Sequence, residues 1–257
     1  MRERSEISMS SAAPSSSGTL SENPRLSEAD AIALLRSQWG IEAAGLSELG
    51  SLQDQNLLVS TADGTRYVLK VTWQGAAAGL DVQNAAMRYL AAARTGFASP
   101  EPVPARGGAD IISRDGYDLR LLTWVNGELL ADRPYFGLAE AGALGELAGR
   151  ATRALAGFTH PGAERDLVWD IRESRRFADE LAGQVPQAGH RQLIAAAMAG
   201  FDDVALAGAA LPVQVVHADI TEVNTVWTAR PDGRWQAVGI LDFGDTMSTW
   251  RVADLVA

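Results

Sequence analysis

The chain has 257 residues, with 32 acidic and 22 basic side chains, a formal charge of −10 and no cysteine. The length allows one large domain or two lobes, each with a core. The missing thiols exclude disulfides, Cys-ligated zinc and thiol catalysis, and the acidic balance argues against duplex DNA, which is bound through basic faces.

No apolar run approaches the roughly 18 residues of a membrane span. Residues 1–25 carry Arg2 and Arg4 but no apolar stretch of the kind a secretory signal needs, so a cytoplasmic protein without membrane or nucleic-acid partners is expected. Met1 to Pro24 is rich in Ser, Ala, Pro and Gly and cannot bury enough apolar surface to offset its ordering entropy, which predicts a disordered tail over residues 1–25. Ser27-Glu28-Ala29-Asp30 has the form of a helix cap, Ala31, Leu34, Leu35 and Trp39 recur at helical spacing, and Gly40 supplies a stop. The runs 55–60 and 66–71 flank Ala62-Asp63-Gly64-Thr65, a hairpin signal. Val82, Ala85, Ala86, Tyr89 and Leu90 make one face of a helix over 79–94. A second hairpin is predicted to turn at Asp115-Gly116, before the run Tyr117 to Val125.

Composition shifts after Asn126-Gly127. Leu138 to Phe158 and His190 to Leu206 read as Ala- and Leu-rich helices, then strands return over 213–217, 224–228 and 235–242. The expected layout is a β-rich lobe over 26–125 and a mainly helical lobe over 126–257 with a late hairpin.

That hairpin carries the chemistry. His217-Ala218-Asp219-Ile220-Thr221-Glu222-Val223-Asn224 has the form H-x-D-x-x-x-x-N, and Asp242-Phe243-Gly244-Asp245 follows on the far side of the turn. Singly, H-x-D is more often a hydrogen-bonded loop than a catalytic one, and D-F-G can be a plain turn with Phe243 in the core. Together and in order they match what protein-kinase-like phosphoryl transfer requires: an Asp to take the proton of the attacking hydroxyl, and an Asn and a second Asp to hold Mg²⁺. A hairpin between Asn224 and Asp242 would bring two oxygen donors beside one hard cation.

Such a site also needs a lysine on a strand of the small lobe. Lys70, in Tyr67-Val68-Leu69-Lys70-Val71, is the chain's only lysine. Alone it would read as a solvated edge charge. Its expected acid partner lies on the next helix, where Asp81 and Gln83 are the candidates. Gly50 and Ser51 could cover phosphates between the first two strands, although neither G-x-G-x-x-G nor the Walker pattern is present, which disfavours a P-loop enzyme. Thr123, Trp124 and Val125 end the small lobe, where a hinge would face a nucleotide base.

These stretches, with Gln53 to Val59, Asp81 to Ala86, Phe158 to Pro161, Val168 to Ile171 and Gly239 to Asp245, resemble the aminoglycoside phosphotransferase superfamily, and within it the hydroxylysine kinase-like branch. The resemblance covers about residues 26–257 and implies an α+β, two-lobe protein-kinase-like fold: a small antiparallel β lobe and a mainly helical lobe. It implies Asp219 as catalytic base, His217 as brace of the catalytic loop, Asn224 and Asp242 as Mg²⁺ ligands, and Lys70 as the holder of ATP or GTP phosphates. Asp245 would serve the metal's surroundings or the substrate. His160, Trp169 and Asp170 match a family stretch, but packing and a helix cap are the preferred reading of them.

Three departures stand out. Ala218 occupies a position where the family more usually has Gly. Gln83 aligns with the acid that would pair the lysine. The family usually continues beyond Trp250 to Val256 with helices that complete a substrate pocket, so the C-terminal helices are expected to be missing. The implied activity is γ-phosphoryl transfer to a hydroxyl of a small, amine-bearing and cationic metabolite such as hydroxylysine or an amino alcohol. The alternative is an inactive nucleotide-binding module of a larger protein, for example one fused to an aminotransferase.

Overall fold

Ser27 opens the first helix by accepting the Asp30 N–H on its hydroxyl (3.2 Å), satisfying one of the donors a helix start leaves without an intrahelical partner. The computed structural model describes residues 25–51, 54–73, 79–133, 136–208 and 210–256. Of the predicted tail only Arg25 falls among them, and Gln53 also lies outside. Helix α1 (Glu28–Leu34) runs into a wider turn, Leu35–Trp39, which Gly40 ends with φ 72°, a left-handed conformation that glycine adopts without steric cost.

Five antiparallel strands follow: β1 (Ala43–Leu49), β2 (Gln55–Thr61), β3 (Arg66–Trp73), β4 (Ile112–Arg114) and β5 (Tyr117–Thr123), in the order β1-β2-β3-β5-β4. Asp115 and Gly116 join β4 to β5 with φ of 52° and 84°, the two positive values a two-residue hairpin turn needs. Helix α2 (Leu80–Ala92) crosses between β3 and β4.

Period-2 alternation sorts this sheet into two faces. Leu57, Val59, Leu69, Val71, Leu119 and Leu121 pack with Ala31, Leu34, Leu35 and Trp39 to form the first core. The opposite face carries Val68 and Leu122, which join Val82, Ala86, Met87 and Leu90 of α2. On that second face Asn56, Lys70 and Arg120 stand in one row, because Asn56 is the register partner of Lys70 and Lys70 that of Arg120.

The remainder comprises β6 (Glu128–Leu129), α3 (Leu138–Leu155), α4 (Ser174–Ala182), α5 (Ala188–Gly208), β7 (Val213–Val216), β8 (Thr225–Ala229), β9 (Trp235–Ile240) and β10 (Met247–Trp250). Strand β10 pairs with β7, and β6, β8 and β9 form a three-stranded sheet. Strands β6 and β10 are too short to show a pattern in sequence. Helix α4, Ser-Arg-Arg-Phe-Ala-Asp-Glu-Leu-Ala, has no buried residue; the Arg175–Asp179 and Arg176–Glu180 pairs one turn apart support it.

The second core runs across the Asn126-Gly127 connector. Leu122 and the α2 side chains meet Leu147, Ala151 and Leu155 of α3 and Val215, Trp227 and Ile240 of β7 to β9. Gly127 makes the close passage possible: at φ 144°, a Cβ there would lie 2.6 Å from the Trp227 carbonyl oxygen. Among the described residues no helix is long and apolar enough to cross a membrane.

Candidate active site

The loop between β7 and β8 begins at His217, which is wholly buried. Its Nδ1 accepts the Asp219 N–H (3.2 Å), and its Nε2 lies 2.9 Å from the Leu241 carbonyl. One accepting and one donating nitrogen is the neutral Nε2–H tautomer. Burial favours the same state by pushing the imidazole pKa down. The ring packs edge-on against Phe243, centroids 4.8 Å apart. His217 therefore ties the loop before Asp219 to the segment carrying Asp242.

Ala218 has φ 66°, which costs a residue with a Cβ about 1–2 kcal/mol. This explains why a glycine is the more usual residue there. The backbone is held in place because the Ala218 N–H donates to Asp254 Oδ1 (2.7 Å), while Asp254 Oδ2 accepts the Thr152 hydroxyl (2.8 Å). Asp254 is 2% exposed, and that burial pushes its carboxyl up.

Asp219 is half-buried, and Asn224 Nδ2 donates to both its carboxylate and its carbonyl oxygen. Burial, followed by the charges of Asp245 and Asp242, raises the Asp219 carboxyl to about 6, against the lowering bonds from Asn224 and Thr221. The strand register brings in the partner residues. Thr225 pairs with Ile240, and the Leu241 N–H donates to the Asn224 carbonyl (2.8 Å), so Asp242 emerges beside Asn224.

Asp242 has φ 52°, strain of the kind that persists where surrounding contacts enforce it. Its Oδ1 accepts the Gly244 N–H (3.1 Å) and stands 3.7 Å from Lys70 Nζ. The protein packed around this carboxyl pushes its pKa up, but Lys70, the Gly244 N–H and Arg120 outweigh that and hold it below the ordinary value. Asp245, one residue past the glycine, is pushed up by burial and by Asp242, with Arg165 opposing. Arg165 also fixes this turn by donating to the carbonyls of Gly244 (2.7 Å) and Thr246 (3.2 Å).

A cleft of about 480 Å³ opens between the five-stranded sheet and this hairpin. Val68, Met87, Leu122, Leu129 and Val226 give it apolar lining, and Asn56, Lys70, Gln83, Arg120, Asn224 and Asp242 give it polar lining. Gly50, Thr123, Trp124 and Val125 line it as well. Thr123 has its N–H on the Glu101 carbonyl and its hydroxyl on the Glu101 N–H, both at 2.9 Å. Ser51 is exposed, and its hydroxyl accepts the Asp54 N–H (3.1 Å), closing the turn that carries Asp54.

The lysine's partner needs correcting. Asp81 is exposed on α2, where it lies against Gly162 and acts on Arg165 rather than on Lys70. Lys70 Nζ instead stands 3.4 Å from Asp54 Oδ2. Two positions separate Asp81 from Gln83, which puts them on different helical faces, and it is Gln83 that reaches the cleft. His160 and Asp170 serve turns: His160 Nδ1 accepts the Gly162 N–H and Asp170 Oδ1 the Arg172 N–H, each at 3.0 Å. Trp169 is 66% exposed.

The donor set fits a small hard cation. Asn224 spends its amide nitrogen on Asp219, which leaves the amide oxygen as what it can offer a metal, and Asp242 supplies an ionised carboxylate. Among the described residues no group of three or more His, Asp or Glu side chains forms a metal cage. Two protein oxygens suit Mg²⁺, which keeps water and phosphate oxygens for its other positions.

Sequence reasoning missed Asp54, Arg120, Arg165 and Asp254. Asp54 lies in the quoted stretch Gln53 to Val59, and Asp254 in the closing stretch Trp250 to Val256. Arg120 is in phase with Lys70 on the neighbouring strand, a relation that appears only once the register is known.

Comparison with known proteins gives a consistent result. The sequence model of the phosphotransferase enzyme family matches residues 45–257. A hydroxylysine kinase of Mus musculus is 26% identical over 252 residues, covering 88% of this chain and 66% of the mouse protein. The chain thus spans just under two thirds of that relative's length. Among solved structures, the GDP complex of a point mutant of the aminoglycoside 2'-phosphotransferase IIIa superposes with a TM-score of 0.66 at 16% identity, covering 90% of this chain and 76% of the other. Amicoumacin kinase hAmiN, in complex with AMP-PNP, Ca²⁺ and Ami, superposes with a TM-score of 0.64 at 16% identity, covering 90% and 67%. The two-lobe kinase-like fold expected from sequence is the fold these structures share.

Proposed function

The chain belongs to the phosphotransferase enzyme family, and from that premise we propose that it transfers the γ-phosphoryl group of ATP or GTP to a hydroxyl of a small amine-bearing metabolite, with hydroxylysine or a related amino alcohol as the first candidate. The observation that carries this reading is that Lys70, Asn224 and Asp242 line one cleft, with Asp219 joined to it through its bond from Asn224.

In this reading the lobes 26–125 and 126–257 close on a nucleotide whose base lies against Trp124 and Val125. Lys70 and the turn at Gly50 and Ser51 hold its phosphates. Asn224 and Asp242 hold Mg²⁺, which when bound neutralises charge on the phosphates. Asp219 accepts the proton of the acceptor hydroxyl as its oxygen attacks, and His217 keeps Asp219 in place. Positioning and charge stabilisation supply most of the acceleration. Asp54 stands beside Lys70 where the helix acid is missing, which removes one of the sequence arguments for an inactive module. Asp219, Asp242 and Asp245 give a site suited to a cationic acceptor, and the mouse relative's name points to the same chemical class. A cytoplasmic location belongs to the same proposal.

Thermal-shift titration with ATP and GTP, with and without Mg²⁺, followed by turnover with hydroxylysine and a panel of amino alcohols, tests the reading. At a hundred times Kd a nucleotide should add about 2.7 kcal/mol of stability, more with Mg²⁺ than without, and nucleoside diphosphate release should depend on the acceptor. Binding without acceptor-dependent turnover would favour the non-catalytic module.

A further inference from the structure

Arg120 is 1% exposed, yet it lines the cleft beside Lys70. Its Nη1 donates to Asn84 Oδ1 (3.2 Å), while its Nε is buried without a hydrogen-bond partner among the described residues. Asp54, Asp242 and Asp118 act on its charge, in that order, but at a distance: Asp54 and Asp242 pair with Lys70, and Asp118 accepts the Ser113 hydroxyl. A guanidinium stays protonated inside proteins, and a buried charge without a close counter-charge is costly. Two neighbours are in a similar condition, since Asn56 Oδ1 and Asn84 Nδ2 are also buried without partners among the described residues. Asn56, Lys70 and Arg120 thus make a polar row across three strands, and the cation in it not already paired to a carboxylate is Arg120.

We propose that Arg120 is a second cationic anchor for the nucleotide's polyphosphate chain, acting beside Lys70. The proposal rests on the nucleotide-binding reading above. Its chemistry is complementary to that of Lys70: a lysine ammonium is a point charge, whereas the planar guanidinium presents fixed parallel N–H groups that match phosphate oxygens. The alternative, that Arg120 only offsets Asp54 and Asp242 across the sheet, makes different predictions.

Isothermal titration of the wild-type chain and of Arg120→Met with ADP, inorganic tripolyphosphate and adenosine separates them. The anchor predicts at least tenfold weaker ADP and tripolyphosphate binding in the variant, with adenosine binding unchanged. Unchanged ADP and tripolyphosphate affinities would overturn it, and so would an equal loss for all three ligands. If Arg120→Met does not fold, the Arg120 Nε–H resonance of the wild type, assigned with Arg120→Lys, takes its place. It should move on adding ADP and stay still with adenosine, and a signal that ignores ADP overturns the proposal. A wild type that binds tripolyphosphate but not ADP would remove the nucleotide reading, with the loss in Arg120→Met still supporting the anion site. Binding of neither overturns both.

Discussion

Replacing Asp219 with Asn should lower kcat by about 10²–10⁴-fold, the range a positioned general base contributes, and leave nucleotide affinity within about twofold. The substitution keeps the shape of the side chain and an oxygen for Asn224 to bond, so the loop should hold. His217 anchors the Asp219 N–H, and Asp254 anchors the Ala218 N–H, neither through the Asp219 carboxyl. What disappears is the group that can take a proton. The loose transition state of phosphoryl transfer favours the lower part of the range.

The pH profile provides a second readout. Burial, Asp245 and Asp242 raise the Asp219 carboxyl to about 6, and a base works only when ionised. Wild-type turnover should therefore fall as pH drops through about 6, with the limb moved lower when a cation at Asp242 favours the carboxylate. The residual rate of Asp219→Asn should lack that limb. A variant with full turnover and an unchanged profile would remove Asp219 from the role of base.

Asp242→Asn should have the larger effect on metal dependence. Asp242 is the carboxylate that Lys70, the Gly244 N–H and Arg120 keep ionised, and in the proposed function it shares a cation site with the neutral Asn224. With Asn at 242, no charged ligand remains at that position. Partners one bond removed from a metal typically cost 10–100-fold when lost, so a direct ligand should raise the Mg²⁺ concentration for half-maximal turnover by more than about 100-fold. Adenosine, which needs no metal, should bind as before. The variant also leaves Lys70 with Asp54 as its remaining acid partner, so some loss of nucleotide affinity without Mg²⁺ is expected. An unchanged Mg²⁺ dependence would show that the cation sits elsewhere.

Much of this arrangement was legible before any coordinates. The H-x-D-x-x-x-x-N and D-F-G-D motifs are short-range signals with fixed order, and the Asp-Gly turns that frame the strands are local chemistry. The parts that escaped depend on tertiary position. Lys70 was expected to look to α2 for an acid, but its neighbour is Asp54, from the turn before β2. Helical phase puts Asp81 and Gln83 on different faces of α2, but nothing in sequence says which face meets the cleft. Arg120 sits in a run, Tyr-Asp-Leu-Arg-Leu-Leu-Thr, that reads as an ordinary half-polar strand until pairing with β3 puts it beside Lys70. Asp254 lies 36 residues from the Ala218 N–H it accepts, too far for any periodicity to connect them. The positive φ at Ala218 is likewise invisible, because alanine does not favour it.

The central claim is transfer of a phosphoryl group to an acceptor hydroxyl, and the product tests it most directly. Wild-type chain, ATP or GTP, Mg²⁺ and each amino alcohol of the panel can be followed by ³¹P NMR. The account predicts a new phosphomonoester resonance that appears only with an acceptor, requires Mg²⁺, and is lost in Asp219→Asn. Nucleotide that binds the cleft yet yields no phosphoester with any acceptor, or only free inorganic phosphate, would contradict it.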